Sequence, residues 1–372
     1  MKKYFLLLLL PFSSVAQNFT AAEIARWETQ AKQVTVVEDN WGIPHIYGKK
    51  DADAVFGLLY VQCQQNFSRV ERNYLEIMGR LSEIEGERML YEDLQMRLIY
   101  DSAAAKADYG KSPQWFKNLL NAFADGVNYY LYKHPETKPL VLTRFEPWFP
   151  LMYTDGSIAP TQTGGLTVQD LENFYEGKDA ATSFIRPELS INNFTPNGSN
   201  GFAIAPSKTA SKNAILYINP HVTFYFRTEA HLVSEEGLNA YGAVTWGQFF
   251  IYQGFNEYCG WMHTSSYADV ADVYEVEVKN NKTDNFYIYD RDQIMQVHKK
   301  QISITYKNAN AVSEKTFPVY FTHHGPVMGK RSDKWLSLKE ANRSLAALMQ
   351  SWLRTKANGF EGFKKVMELR SN

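Results

Sequence analysis

The sequence predicts an α+β fold in which helices dominate the first half, strands follow, and helices return near the end. Three observations support this class. Apolar residues recur at three- and four-residue steps from Val70 to Ile84, short alternating segments begin at Ser199, and helical patterning returns at residues 345–353 and 360–369. Helices and strands that occupy separate stretches of the chain are typical of α+β layering.

The first half is predicted to contain two strands and two long helices. Residues 34–38 and 43–47 alternate between apolar and polar side chains, as strands do. A long helix is expected from Asp51 to the glycine at position 86, and another over residues 112–134, before a proline. The region up to residue 180 is therefore mostly helical.

Turn-forming residues dominate residues 155–198, which are predicted to form loops. A surface linker, an active-site loop and a processing linker are all compatible with this composition. Residues 199–205 and 214–218 then alternate on either side of a polar turn and predict a β-hairpin. If these strands pair, the backbone of His221 lies close to Ser199.

The overall charge gives no reason to expect binding to nucleic acid or to an anionic membrane. The chain of 372 residues has 39 Lys and Arg against 40 Asp and Glu, a formal net charge of -1. Its two cysteines, Cys63 and Cys259, could pair in an exported chain but do not make a disulfide framework, and we interpret both as buried free thiols.

The first sixteen residues have the layout of a secretory signal peptide. Lys2 and Lys3 precede the apolar run of residues 6–10, and small residues at positions 14–16 form a cleavage site. The run is too short to span a bilayer. We therefore expect an exported protein, periplasmic or secreted, with no membrane partner.

Gly198 and Ser199 suggest a nucleophile that creates its own base. A serine needs a group that takes its proton, and the Gly-x-Ser-x-Gly elbow fails because residue 197 is Asn. If the chain cuts itself between Gly198 and Ser199, the new α-amine, with a pKa of about 7.7–8.0, can act as that base. The alternatives are an ordinary turn serine, and a conventional serine hydrolase in which His221 or His263 is the base.

Several segments together resemble the penicillin acylase family of N-terminal-nucleophile hydrolases. The likeness extends through residues 34–372 and is nearer to acyl-homoserine lactone and aculeacin-type acylases than to penicillin G acylase. The segments that carry it are residues 39–46, 56–57, 79–83, 124–128, 198–200, 205–209, 219–221, 254–261, 264, 269–272 and 324–327.

The resemblance implies an αββα sandwich, here incomplete, and a precursor cut into two chains. After the signal peptide at residues 1–16, the mostly helical α-chain region covers residues 17–180. A processing linker follows at 181–198. Residues 199–372 are then the N-terminal part of the β-chain, with the nucleophile on its first strand. The chain is expected to be truncated at its C-terminal end.

The resemblance also assigns residue roles. Ser199 is the nucleophile, the backbone carbonyl of His221 holds its amine, and the backbone N–H of Ser265 is one oxyanion donor. Val222 and His263 line the acyl pocket, where they differ from the residues usual in the family. The second oxyanion donor of the family is an asparagine, expected beyond residue 372.

A structural Ca²⁺ ion is the one cofactor that the resemblance implies, and no organic cofactor is expected. Asp269, Asp272 and the carbonyl of Ala271 match calcium ligands of the family. An acidic ligand from the α-chain region is expected near Gln169 and Asp170. By their residue types alone, Asp269 and Asp272 could equally form a solvated turn.

The prediction is an exported amide hydrolase that removes an acyl group from the amine of a small molecule. Its partners are the acylated amide substrate and the two chains cut from one precursor. The alternatives are a non-catalytic relative, or an inactive fragment, that binds acylated ligands, and a serine hydrolase with a histidine base and no self-cleavage.

Overall fold

The computed structural model describes residues 19–100, 102–153, 163–178, 198–222, 227–264, 270–281, 284–309, 311–341 and 345–369. The predicted signal peptide lies outside the described residues, and so does the linker up to residue 197. In the described part of the chain, no helix has both the length and the apolar content needed to cross a lipid bilayer.

Most helices lie before residue 180, as the sequence predicts. The two longest, α2 and α6, pack against each other and form the centre of the larger core. The bounds of the described α-helices are Ala21–Ala31 (α1), Asp51–Ile77 (α2), Ser82–Glu85 (α3), Leu90–Ile99 (α4), Ser102–Lys111 (α5), Gln114–Lys133 (α6), Val168–Tyr175 (α7), Leu345–Arg354 (α8) and Gly359–Met367 (α9).

Most of the described strands come after residue 198, and most strand pairs are antiparallel. Their bounds are Val34–Glu38 (β1), Pro44–Gly48 (β2), Ser199–Ile204 (β3), Ile215–Pro220 (β4), Arg227–Ser234 (β5), Asn239–Thr245 (β6), Gln253–Asn256 (β7), Gly260–Trp261 (β8), Ala271–Val276 (β9), Lys279–Asn280 (β10), Asn285–Tyr289 (β11), Gln293–Gln296 (β12), His298–Asn308 (β13), Ala311–Phe321 (β14), Val327–Arg331 (β15) and Lys334–Glu340 (β16).

One sheet joins the regions before and after Ser199. Its strand order is β1-β2-β5-β6-β7-β8, and β2 pairs with β5 in parallel. His45 lies opposite His231 in that register, with their Nδ1 atoms 2.9 Å apart. The predicted α-chain and β-chain regions therefore share one hydrogen-bonded sheet, and α2 packs against both β2 and β5.

The single helix predicted over residues 51–86 is wrong at its end. Helix α2 stops at Ile77, and Gly79 has a φ of +60°, a conformation that favours glycine. The Asp93 carboxylate then accepts the backbone N–H groups of Leu81 and Ser82, at 3.0 and 2.7 Å, where the short α3 begins. Because that acceptor comes from α4, the break depends on tertiary structure.

The two cysteines are only partly as predicted. Neither is in a disulfide, and Cys63 is buried, which raises the pKa of its thiol. Cys259 is only half-buried, and its Sγ lies 3.3 Å from the carbonyl oxygen of Gly359.

Glu71 of α2 organises the loop after α6, and its removal is expected to destabilise the fold. Its buried carboxylate accepts the backbone N–H groups of residues 140, 141 and 142 at 2.9, 2.7 and 2.8 Å. Glu71→Ala leaves these donors without their acceptor and should lower the free energy of unfolding by about 1–3 kcal/mol. Urea denaturation measures this change. The exposed Glu87→Ala is the control and should stay within about 0.5 kcal/mol.

Candidate active site

The predicted hairpin forms, and it places His221 beside the Gly198–Ser199 bond. Strands β3 and β4 pair antiparallel, with Ser199 opposite Pro220. The backbone N–H of His221 donates to the carbonyl oxygen of Gly198 at 3.3 Å. The carbonyl that Ser199 would attack therefore already has a hydrogen-bond donor.

The hairpin lies against the segment that follows β7. A Cβ atom added to Gly201 would lie only 1.8 Å from Sδ of Met262, and one added to Gly260 would lie 2.7 Å from Cδ2 of Leu216. Glycines at these two positions allow β3 and β4 to approach residues 260–264 closely. This packing brings Ser199 to the end of that segment.

Ser199 is held through its nitrogen. The residue is half-buried, and its backbone N–H donates to Oγ1 of Thr264 at 3.0 Å. Both ends of the Gly198–Ser199 peptide group thus have a partner, His221 for the carbonyl and Thr264 for the nitrogen. The sequence marked Thr264 as part of a matching segment, but it gave no signal of this contact.

The side chains of His221 and Val222 lie on the open side of the site. The His221 ring is exposed, with Nε2 3.4 Å from Nδ2 of Asn200. Val222, which follows His221 just after the end of β4, is 45% exposed. It presents an apolar side chain to solvent on this side of the site.

His263 faces the protein interior. Its ring stacks on Tyr252 with centroids 4.3 Å apart, and its Nε2 lies 2.8 Å from Nη1 of Arg354. Because a guanidinium only donates hydrogen bonds, Nε2 is the acceptor, and the neutral ring carries its proton on Nδ1. Sequence reasoning missed both partners, since neither follows a local pattern.

Burial, together with the positive charges of Arg354 and Arg227, lowers the pKa of His263 to about 3. The ring is therefore neutral near pH 7. A base whose conjugate acid has so low a pKa is a poor acceptor for a serine proton at that pH. This property disfavours His263 as the base of a conventional serine hydrolase.

The residues matched to calcium ligands are only partly described. Ala271 and Asp272 lie on β9, opposite Glu340 and Lys339 of β16, and Asp272 is exposed. Asp269 lies outside the described residues, as does the predicted oxyanion donor Ser265. In the described part of the chain, β9 included, no three His, Cys, Asp or Glu side chains come together as a metal site.

Asp170, from the predicted α-chain ligand region, lies beside Gly329 of β15, and its carboxylate caps its own helix. Its Oδ2 accepts from the backbone N–H and the hydroxyl of Thr167, at 2.9 and 2.7 Å, in a capping box at the start of α7. The loop before α7 approaches β9, since a Cβ atom added to Gly164 would lie 3.4 Å from the carbonyl oxygen of Ala271. Calcium binding stays a prediction.

Comparison with known proteins matches nearly the whole chain to one family. Residues 33–371 match the family model described as penicillin amidase. An acyl-homoserine lactone acylase, QuiP, of Pseudomonas fluorescens is 23% identical over 379 residues, covering 85% of this chain and 45% of the relative. The penicillin acylase 2 proenzyme of a Pseudomonas species is 24% identical over 348 residues, covering 79% and 43%.

The chain spans about half the length of the curated relatives it matches. Among solved structures, a thermostable penicillin G acylase from Alcaligenes faecalis is similar at 20% identity and a TM-score of 0.38. That match covers 45% of this chain and 30% of the other.

Proposed function

Since the chain belongs to the penicillin amidase family, we propose that it is the nucleophile-bearing part of an acylase that hydrolyses amide bonds of small molecules. The observation that carries this proposal is the hydrogen bonding of the Gly198–Ser199 peptide group. Its carbonyl oxygen accepts from His221 and its nitrogen donates to Thr264. A serine that follows a peptide bond held at both ends is suited to attack that bond.

Self-cleavage begins with attack of the Ser199 hydroxyl on the carbonyl carbon of Gly198. The new C–O bond replaces the C–N bond, and the hydroxyl proton ends on the nitrogen of Ser199, which leaves an ester. The backbone N–H of His221 stabilises the negative charge that develops on the Gly198 oxygen. Water then hydrolyses the ester to a carboxylate on Gly198 and a free hydroxyl on Ser199.

The freed α-amine of Ser199 is the base in substrate hydrolysis. It takes the hydroxyl proton as the oxygen attacks the amide carbonyl, and it returns that proton to the departing amine. The backbone carbonyl of His221 holds the amine in place. The backbone N–H of Ser265 is one oxyanion donor. Each such donor contributes about 10²–10³ in rate.

The relatives and the open side of the site support the proposed substrate class. The relatives are named for acyl-homoserine lactones and penicillin, which both carry an acyl group on an amine. Val222, exposed beside His221, lines the acyl pocket in this proposal. His263 is the second residue that the family resemblance assigns to that pocket.

The remaining family features complete the proposal. The protein is exported to the periplasm or the medium, and the mature enzyme is an αββα sandwich of two chains. Asp269, Asp272 and the carbonyl of Ala271 would hold a Ca²⁺ ion, which would stabilise the structure and take no part in the reaction. EGTA should then lower the Tm without changing the mass of either fragment.

Release of a free amine tests the proposed reaction. The protein expressed from its complete gene is incubated with an N-acyl-homoserine lactone and with penicillin G, and the products are identified by mass spectrometry. We expect free amine and carboxylic acid in equal amounts from at least one substrate. Lactone opening with the amide intact would point to another hydrolase, and binding without turnover would favour the non-catalytic relative.

A further inference from the structure

The side-chain hydroxyl of Thr264 accepts a hydrogen bond from the backbone nitrogen of Ser199, with Oγ1 and N 3.0 Å apart. A Cβ atom added to Gly198 would lie 3.6 Å from the same hydroxyl oxygen. The Thr264 hydroxyl therefore lies beside the peptide bond proposed to break. That nitrogen is the leaving group during self-cleavage and the base afterwards.

Although Thr264 is exposed, the backbone that carries it is anchored in the core. The side-chain Nε2 of the buried Gln253 donates to the carbonyl oxygen of His263 at 2.9 Å. The His263 ring is fixed by Tyr252 and Arg354, and Nη2 of Arg354 donates to the carbonyl oxygen of Tyr252 at 3.2 Å. The position of the Thr264 hydroxyl is thus set by buried groups on β7 and α8.

We propose that Thr264 is a catalytic residue whose hydroxyl orients the nitrogen of Ser199 during both self-cleavage and amide hydrolysis. This inference rests on the proposed function of Ser199. In the uncut chain the nitrogen directs its N–H toward Thr264, so the lone pair that forms as the C–N bond breaks points away from Thr264. It is then available for the proton of the Ser199 hydroxyl.

The same contact orients the base after cleavage. The free amine has an additional hydrogen, and one N–H remains directed to Oγ1 of Thr264. That hydrogen bond limits rotation about the N–Cα bond of Ser199 and keeps the lone pair toward its own hydroxyl. Orientation of a reacting group lowers the barrier without changing the affinity for substrate.

Two variants of Thr264 separate its hydroxyl from its shape. Thr264→Val keeps the branched side chain and removes the hydroxyl, whereas Thr264→Ser keeps the hydroxyl and removes the methyl group. The control is Thr228→Val on β5, which removes a threonine hydroxyl outside the site, one that donates to Oε1 of Gln65 at 3.0 Å. All are made in the protein expressed from its complete gene, and the fragment beginning at Ser199 is followed over time by mass spectrometry.

We expect Thr264→Val to slow fragment formation by about 3- to 10-fold, since it loses one hydrogen bond to a reacting atom. Thr264→Ser should recover most of that rate, and Thr228→Val should cut at the parent rate. Once cut, Thr264→Val should show a lower kcat with an unchanged KM.

Three outcomes would overturn the role of Thr264: cleavage of Thr264→Val at the parent rate, a Thr264→Ser protein as slow as Thr264→Val, or an unchanged kcat. Equal Tm values for the two Thr264 variants exclude a folding defect as the cause of slow cleavage. If the parent protein itself is never cut, the proposed function fails, and that result is distinct from a failure confined to Thr264.

Discussion

Ser199→Ala is expected to leave one uncut chain and to abolish amide hydrolysis. The variant lacks the oxygen that attacks the Gly198 carbonyl, so neither the ester nor the free α-amine can form. Loss of a nucleophilic serine typically lowers kcat by about 10⁶-fold. Cleavage is measured by intact mass, and hydrolysis by release of free amine. Ser207→Ala, an exposed serine in the turn after β3, is the control and should behave like the parent.

Other results would contradict this mechanism in distinguishable ways. If Ser199→Ala is still cut at the same bond, an outside protease makes the cut. If the uncut parent hydrolyses amides at full rate, the α-amine is not the base. Ser199→Cys provides a positive test, because a thiol is also a nucleophile and should still cut the chain.

The free energy of unfolding is expected to fall by about 2 kcal/mol between pH 8 and pH 5 because of His263 alone. The pKa of His263 is about 3 in the folded protein and 6.5 unperturbed. The unfolded chain therefore binds a proton at pH 5 that the folded protein excludes. This contribution to stability is fully present above pH 6.5 and is lost as pH falls toward 3.

A matched pair of variants isolates that contribution. His263→Gln keeps an acceptor for Arg354 but cannot titrate, whereas His298→Gln removes an exposed histidine on β13. Urea denaturation at pH 8, 6.5 and 5 should show a flatter pH dependence for His263→Gln and the parent dependence for His298→Gln. Equal slopes for the parent and His263→Gln would show that His263 titrates normally and is not held between Tyr252 and Arg354.

The sequence was most informative where partners lie close along the chain. Alternating residues on either side of one polar turn predict the β3–β4 hairpin, and that pairing alone brings His221 to the carbonyl of Gly198. The helix after residue 112 was predictable because proline and the apolar period mark its limits. The structure confirms both elements.

Distant contacts were not predictable in this way. An alternating sequence pattern predicts a strand but does not show which other strand it pairs with. The parallel pairing of β2 with β5, more than 180 residues away, therefore has no local signal. Likewise, Arg354 at the end of α8 contacts His263, 91 residues earlier, and no local pattern indicates that contact. The break after Ile77 depends on Asp93 of another helix.

The N-terminal residue of the mature protein tests the mechanism most directly. Purified protein from the complete gene is denatured, and its chains are identified by intact mass and N-terminal sequencing. Self-cleavage predicts a chain that begins at Ser199 with a free α-amine, absent from Ser199→Ala. A mature protein that hydrolyses amides as a chain continuous through Gly198 and Ser199 would contradict it.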